Sequence, residues 1–242
     1  MAAKIKVVTW NMRRYSQPWQ YLWQDIQPDI ALLQEAIPPS DHAGVEFSHF
    51  RFLQGSGFTL GGLTAYYGTG LVAKDKTMKA IEIEGDHPGA LAAGRFRLPD
   101  KRKLTFVSLY GFTDLNGFAT TTAHRLLSDL TPLLSGRDPG LFILGGDLAV
   151  SPQFDEYTTR KRPSHQLVFD RIADFGLVNC LAKFHPEPVQ TIRHHRIGIP
   201  WQTDYLFASA ALLPNLISCE VLNSSEIDLL SDHSPIVAEF EF

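Results

Sequence analysis

Short runs rich in β-branched and aromatic residues recur along the chain, and their polarity decides what they can form. Ile81-Glu82-Ile83-Glu84 and Arg95-Phe96-Arg97-Leu98 alternate apolar with polar, the period of a half-exposed strand. Runs of this kind predict strands over Ile5–Trp10, Ile30–Gln34, Leu71–Ala73, Lys79–Glu84, Ala92–Leu98 and Leu104–Tyr110 in the first half. They continue over Leu141–Leu144, Asp204–Ala208, Ile217–Leu222 and Ile236–Phe242 in the second. Three segments carry helical spacing instead. Pro18–Ile26 sets Trp19, Leu22, Trp23 and Ile26 on one face, with Pro near its start. Thr120–Leu134 carries Leu126, Leu127, Leu130 and Leu134, and Pro132 predicts a break or kink near its end. Ser164–Phe175 carries Leu167, Val168, Ile172 and Phe175, and Gly176 follows as a cap. Many strands and few helices imply sheets packed face to face with helices outside. No low-complexity segment or Gly-, Ser- or Pro-rich linker divides the chain, which predicts a single domain over residues 1–242.

The polar residues that end these strands are more informative than the strands. Ile5–Trp10 runs into Asn11, and Ile30–Leu33 into Gln34-Glu35. Leu141–Leu144 runs into Gly145-Gly146-Asp147. Gln202-Thr203-Asp204 opens one strand and Ser231-Asp232-His233-Ser234 precedes the last. One acid at a strand end is ordinary, because turns favour Asp and strand interiors do not. The ordered set is not ordinary, because a rigid scaffold presents catalytic groups at strand ends. Mg²⁺ takes hard oxygen ligands, one or two carboxylates with waters and substrate phosphate completing its shell, and Glu35 suits that role. A phosphodiester repels hydroxide, so a cation and hydrogen-bond donors must offset the charge that builds in its transition state. His233 can serve in acid–base chemistry or bind a phosphate oxygen, provided a carboxylate fixes its tautomer. Asp204 is the candidate for that partner.

Composition adds bounds. The chain has 242 residues, 44% hydrophobic, enough for a sizeable core. Net charge is −4, so bulk charge gives no sign of nucleic-acid binding, and such a role needs a local basic patch. Cys180 and Cys219 are too few for a disulfide scaffold and have no zinc spacing; they read as buried thiols in a reducing compartment. No apolar run approaches the ~20 residues of a membrane span, and the start lacks the pattern of a signal peptide. A cytoplasmic location is the expectation.

Thr9-Trp10-Asn11, Gln34-Glu35, Ser108-Leu109-Tyr110, Gly146-Asp147, Thr203-Asp204-Tyr205 and Ser231-Asp232-His233-Ser234-Pro235 follow one another in this order. As a set they resemble the endonuclease/exonuclease/phosphatase superfamily, across nearly the whole chain. The resemblance implies a four-layer α/β sandwich, with two central, mostly antiparallel β-sheets flanked by helices and a cleft at one edge. It implies a metal-dependent phosphoric ester hydrolase that uses Mg²⁺, with Mn²⁺ as an alternative. Asn11 and Glu35 would lie at the metal, with Glu35 the principal ligand. Tyr110 would contact the scissile phosphate, and Asp147 would position or activate the attacking water. Asp204 would pair with His233, and Asp232 would assist the metal or the same network. One position departs. The family writes Gly-Asp-x-Asn where this chain has Gly146-Asp147-Leu148-Ala149. Strand alternation would put Ala149 on the same side as Asp147, but its side chain has no polar atom to hold water or phosphate. The resemblance therefore implies an impaired catalyst with an otherwise intact set, either a naturally weakened protein or one in which an original Asn was replaced by Ala149.

Arg160-Lys161-Arg162 follows the Asp147 motif, and Arg193-His194-His195-Arg196 precedes Asp204. Both clusters can be solvated loops or phosphate-binding loops, and Trp201 can stack on a base or serve as packing. Lys101-Arg102-Lys103 reads as a hairpin tip. If the clusters bind phosphate, the substrate is a chain of phosphates, DNA or RNA. A small-molecule phosphatase or phosphodiesterase, acting on a phosphoinositide or a nucleotide, and a non-catalytic binding module are the alternatives. The chain has no long insertion and no amphipathic basic helix, which weighs against a lipid substrate. No protein partner is expected.

Overall fold

A computed structural model describes residues 3–39, 45–53, 55–60, 63–75, 77–98, 100–114, 118–135, 140–157, 164–193 and 200–242. In chain order the strands are β1 (Lys4–Asn11), β2 (Ile30–Ala36), β3 (Phe47–Phe52), β4 (Phe58–Leu60), β5 (Leu63–Ala65), β6 (Gly68–Ala73) and β7 (Lys79–Ile81). They continue with β8 (Leu91–Arg97), β9 (Lys103–Tyr110), β10 (Leu141–Asp147), β11 (Leu177–Asn179), β12 (Asp204–Ser209), β13 (Leu216–Val221) and β14 (Ile236–Glu241). Two six-stranded sheets result, ordered β13-β14-β1-β2-β6-β3 and β11-β12-β10-β9-β8-β7, beside a two-stranded β4-β5 ribbon. Each large sheet is antiparallel except for one inner parallel pair, β1 with β2 and β9 with β10.

Alternation along these strands sorts the apolar residues into layers. On β1 and β2, Val7, Ile30 and Leu32 face inward, where they meet Leu104, Phe106, Ile143 and Leu206 of the second sheet. Their neighbours Val8, Trp10, Ala31 and Leu33 face outward against Trp19, Leu22 and Ile26. On the far side, Val107, Leu109, Phe142 and Leu144 pack under α2 (Ala119–Leu134) and α3 (Gln166–Asp174). Helix, sheet, sheet and helix make the four-layer sandwich that the motifs imply. Cys180 and Cys219 lie buried in the inner layer, and burial pushes the Cys180 thiol up to about 12. Among the described residues no helix is long and apolar enough to cross a membrane.

Some expectations need correction. The helix α1 is α-helical only over Pro18–Tyr21; Leu22–Ile26 widens into a π turn that closes on Gln27 at φ 54°. The helix α2 does not break at Pro132. That residue lies in the last turns, and the buried faces of Leu126, Leu127, Leu130 and Leu134 outweigh one lost hydrogen bond. The strand expected to reach Glu84 ends at Ile81. Edge strand β3 and the short β4, β5 and β11 escaped the sequence reading, being brief or partly exposed. The Lys101 tip is a hairpin, with Arg97 opposite Lys103 and Lys101 at φ 71°.

Towards one edge the inner layer turns polar. Gln34 on β2 crosses the gap, its Nε2 donating to Ser108 Oγ (2.9 Å) on β9, to Thr9 Oγ1 (3.3 Å) and to the Leu32 carbonyl (3.1 Å). Ser108 Oγ donates back to the Leu33 carbonyl at 3.1 Å. Gln34→Leu should therefore destabilise the fold by about 1–3 kcal/mol, since it strands buried partners. Gln34→Leu with Ser108→Ala should lose less than the sum of the single changes. Urea unfolding of the four proteins measures this coupling, and strict additivity would mean that the two side chains do not act together.

Candidate active site

Each sheet sends three chain ends to the same edge. The first contributes the C-terminal ends of β1 and β2 and the start of β14. The second contributes the C-terminal ends of β9 and β10 and the start of β12, with Asp147 level with both Tyr110 and Asp204. Along each strand the inward register runs straight into this edge. Thr9 leads to Asn11, Leu32 to Gln34, Ser108 to Tyr110, Gly145 to Asp147, and Leu206 back to Asp204. Polar residues there meet across the sheets as apolar ones do deeper in.

Asn11 Nδ2 donates to Asp147 Oδ2 at 3.0 Å, and the Tyr110 hydroxyl donates to Glu35 Oε1 at 2.7 Å. His233 Nδ1 lies 3.1 and 2.9 Å from the two oxygens of Asp204, and its Nε2 lies 3.8 Å from Asp147 Oδ2. Thr203 Oγ1 donates to Asp204 Oδ2 (3.1 Å), and the backbone N–H groups of Thr203 and Asp204 share Thr191 Oγ1 at 3.0 Å each. On the other flank, Ser231 Oγ donates to the Asn11 carbonyl (2.8 Å) and Trp10 Nε1 to the His233 carbonyl (2.9 Å). The His–Asp pair that the motifs imply is thus assembled and supported from both sheets.

Glu35 reaches this edge by a different route. Alternation after Gln34 would point it outward, but the β2–β6 register shifts between Leu33 and Ala36, and Glu35 sits at φ 46°. The irregularity turns its carboxylate towards Tyr110. Arg13 (φ 51°), Arg14 (φ 62°) and Ala149 (φ 54°) are also left-handed, so among the described residues four of the six non-glycine positions at positive φ belong to this edge. Such strain persists where the surroundings over-determine it and clusters at functional sites. Ala149 is two residues past the strand end, so alternation does not place it. Its backbone N–H donates to Asp147 Oδ1 at 2.9 Å.

Two cations at this edge were not anticipated. Arg14 Nε lies 2.6 Å from Glu35 Oε2, and Arg13 Nε lies 3.6 Å from Asp232 Oδ1. Nothing in the run Asn11-Met12-Arg13-Arg14 signals two consecutive left-handed residues. Arg193 needs correction. Its guanidinium, expected to bind substrate, is occupied by Ser234 Oγ (2.5 Å), the Ser231 carbonyl (2.8 Å) and Asp228 (2.8 Å), and so fastens the turn that carries His233. Trp201, 7% exposed, packs edge-on against Phe154 at 4.6 Å, an arrangement of packing rather than of an open stacking face. Arg160, Lys161, Arg162 and Arg196 lie outside the described residues.

Burial sets the charges. It pushes the Asp147 carboxyl up to about 7, against the pull of His233 and of its hydrogen-bond donors. Burial alone would lower His233, but the Asp204 and Asp147 carboxylates outweigh it and raise the imidazole to about 10. Burial, with the Glu35 carboxylate, holds the Tyr110 phenol protonated well above its ordinary range. Two oxygen-rich places could hold a cation. Asp147, Asp204 and His233 offer ligand atoms within 4.8 Å of one another, but there Asp204 is already committed to the imidazole. The other is the Glu35 carboxylate, now held by the Tyr110 hydroxyl and by Arg14 on a half-exposed arm; the Asn11 amide oxygen meanwhile accepts from the Arg13 backbone N–H at 3.0 Å.

No protein-family model and no curated protein matches the sequence. Solved structures do. An AP endonuclease from Leishmania major aligns with 99% of this chain and 88% of its own, at TM-score 0.71 and 17% identity. The 3′ phosphatase NExo from Neisseria, bound to product DNA hairpin, aligns with 98% of this chain and 100% of its own, at 0.70 and 21%. An endonuclease/exonuclease/phosphatase from Beutenbergia cavernae aligns with 99% and 72%, at 0.69 and 15%. The chain has the endonuclease/exonuclease/phosphatase fold.

Two outcomes follow from this geometry. A histidine raised above its ordinary value stabilises the fold fully below about 6.5 and loses that contribution as pH rises through about 10. In an NMR titration the His233 ring should stay protonated through neutral pH, and Asp204→Asn should bring its midpoint down towards 6.5; a midpoint that Asp204→Asn leaves in place would remove Asp204 as the cause. Removing a competing cation should also help metal entry, so Arg14→Gln should bind Mg²⁺ several-fold more tightly by calorimetry. Equal affinity would place the ion away from Glu35.

Proposed function

We propose that this chain is a Mg²⁺-dependent phosphodiesterase that hydrolyses phosphodiester bonds in nucleic acid, DNA or RNA. One observation carries the reading: strand ends from both sheets converge so that Glu35 and Tyr110 stand with Asn11, Asp147 and the His233–Asp204 pair at one edge. The three structural relatives, two described as AP endonuclease and 3′ phosphatase, support a phosphoester substrate, and the phosphatase was captured with DNA.

Glu35, with Asn11 and with support from Asp232, would hold the ion; Mn²⁺ satisfies the same oxygen donors. The ion supplies positive charge at the phosphate. The residues divide the remaining work. Tyr110, held protonated, donates a hydrogen bond. His233 is cationic at neutral pH and turns Nε2 away from Asp204, so it can hold a phosphate oxygen. Asp147, raised to about 7, is poised to take a proton from the attacking water as the P–O ester bond breaks. Arg13 and Arg14 add charge without reading sequence.

Ala149 leaves this set one donor short. Ala149→Asn should raise turnover by about 10²–10³, the usual cost of one missing transition-state donor, with little change in substrate affinity. Asn tolerates φ 54° better than Ala, so the Asn form should also melt slightly higher. The assay is cleavage of labelled DNA and RNA oligonucleotides and of simple phosphodiesters with Mg²⁺ or with chelator. No faster cleavage by the Asn form on any of them would sink the catalytic reading in favour of a binding module. Glu35→Ala should weaken Mg²⁺ binding strongly in the same preparations; unchanged affinity would move the metal elsewhere.

A further inference from the structure

Beside the catalytic edge lies a second cavity of about 390 Å³, within the usual size range of small-molecule sites. Its walls are Tyr67, Phe112, His87 and Tyr110, with Asp86 at the rim and Ser56 inside. His87 and Phe112 meet edge to face at 5.0 Å, and Tyr110 and Phe112 lie tilted at 6.2 Å. Three separate stretches of chain therefore supply aromatic rings to one space.

Two features tie the cavity to the phosphate chemistry. Tyr110 belongs to both, its ring forming a wall while its hydroxyl donates to Glu35 at 2.7 Å. Tyr67 carries the Arg14 guanidinium over its ring at 4.7 Å, and the same guanidinium pairs with Glu35. A group seated in the cavity is thus one ring's width from Glu35. The second observation is Ser56. It is 4% exposed, and its Oγ has no hydrogen-bond partner among the described residues. A buried hydroxyl left unmatched is costly and is usually matched by water or ligand. It can both donate and accept.

We propose that this cavity is a nucleobase subsite, resting on the phosphodiesterase reading above. The base stacks on the aromatic walls and presents a polar edge to Ser56, while its attached phosphate reaches the Glu35 edge. An acyl chain would make no use of the hydroxyl. Base–aromatic stacking tolerates every base, so the subsite selects for a base being present rather than for its identity. The base belongs either to a nucleotide within a chain or to a free mononucleotide.

The test is calorimetric binding, in Mg²⁺, of a nucleoside 5′-monophosphate and of inorganic phosphate. The nucleotide should bind about tenfold or more tightly than phosphate. Phe112→Leu, which keeps apolar volume but removes the ring, and Ser56→Ala should each shrink that ratio several-fold while phosphate affinity and melting temperature hold. If phosphate binds and the nucleotide binds no more tightly, or if both variants leave the ratio intact, the base subsite is wrong while the phosphate site stands. Binding of neither ligand overturns the phosphate site and the subsite with it. Competition by a short oligonucleotide against the mononucleotide assigns the base to a chain, and its absence assigns free nucleotides.

Discussion

The molecule depends on one constraint: two sheets must face each other in register, and what lies between them changes character along the strands. Deep in the sandwich the inward positions are Val7, Leu32, Phe106, Ile143 and Leu206, held by exclusion of water. Two to four residues further along, the same faces hold Thr9, Gln34 and Ser108, and then Asn11, Tyr110, Asp147 and Asp204. Polar groups so buried must find partners, and the nearest lie on the opposite sheet. The bonds from Gln34 to Ser108, Asn11 to Asp147 and Tyr110 to Glu35 hold the sheets together at this edge and arrange the groups of the candidate site. Packing and site geometry therefore share the same side chains.

That sharing explains what the sequence made legible. The placement of Asn11, Asp147 and Asp204 at this one edge was legible because each continues the inward register of an apolar run by plain alternation. So was the layer architecture, since Val7 and Val8, or Leu32 and Leu33, face opposite clusters. Glu35 could be chosen by its chemistry, but not aimed, because its direction comes from a register shift and a left-handed backbone that no side-chain pattern announces. Arg13 and Arg14 were overlooked for the same reason. Arg193 looked like a phosphate ligand because charge in a loop says nothing about which acceptors fold over it. Here those were the Ser231 carbonyl, Ser234 and Asp228.

Strain is distributed accordingly. The residues that follow alternation sit in ordinary strand conformations. Those that leave it, Arg13, Arg14, Glu35 and Ala149, occupy left-handed conformations that cost an L-residue roughly 1–2 kcal/mol each. Flanking ladders hold them there: β1 between β2 and β14, and β10 between β9 and β12. The Ala149 N–H bond to Asp147 shows one use of such a bend, since it turns a backbone donor back onto the carboxylate.

The pairing of β1 with β14 has a consequence in time. Strand β1 is completed on one side by β14, far along the sequence, and His233 arrives immediately ahead of β14. A chain emerging from the ribosome acquires Asn11, Glu35, Tyr110, Asp147 and Asp204 long before it has the histidine. A chain clipped before Ser231 would lose the histidine and the partner of β1 together. Contacts so distant in sequence form late and slowly. Closure of the first sheet by β14 is thus also the step that brings the imidazole to Asp204, so a copy lacking this segment keeps the acidic groups without their histidine partner.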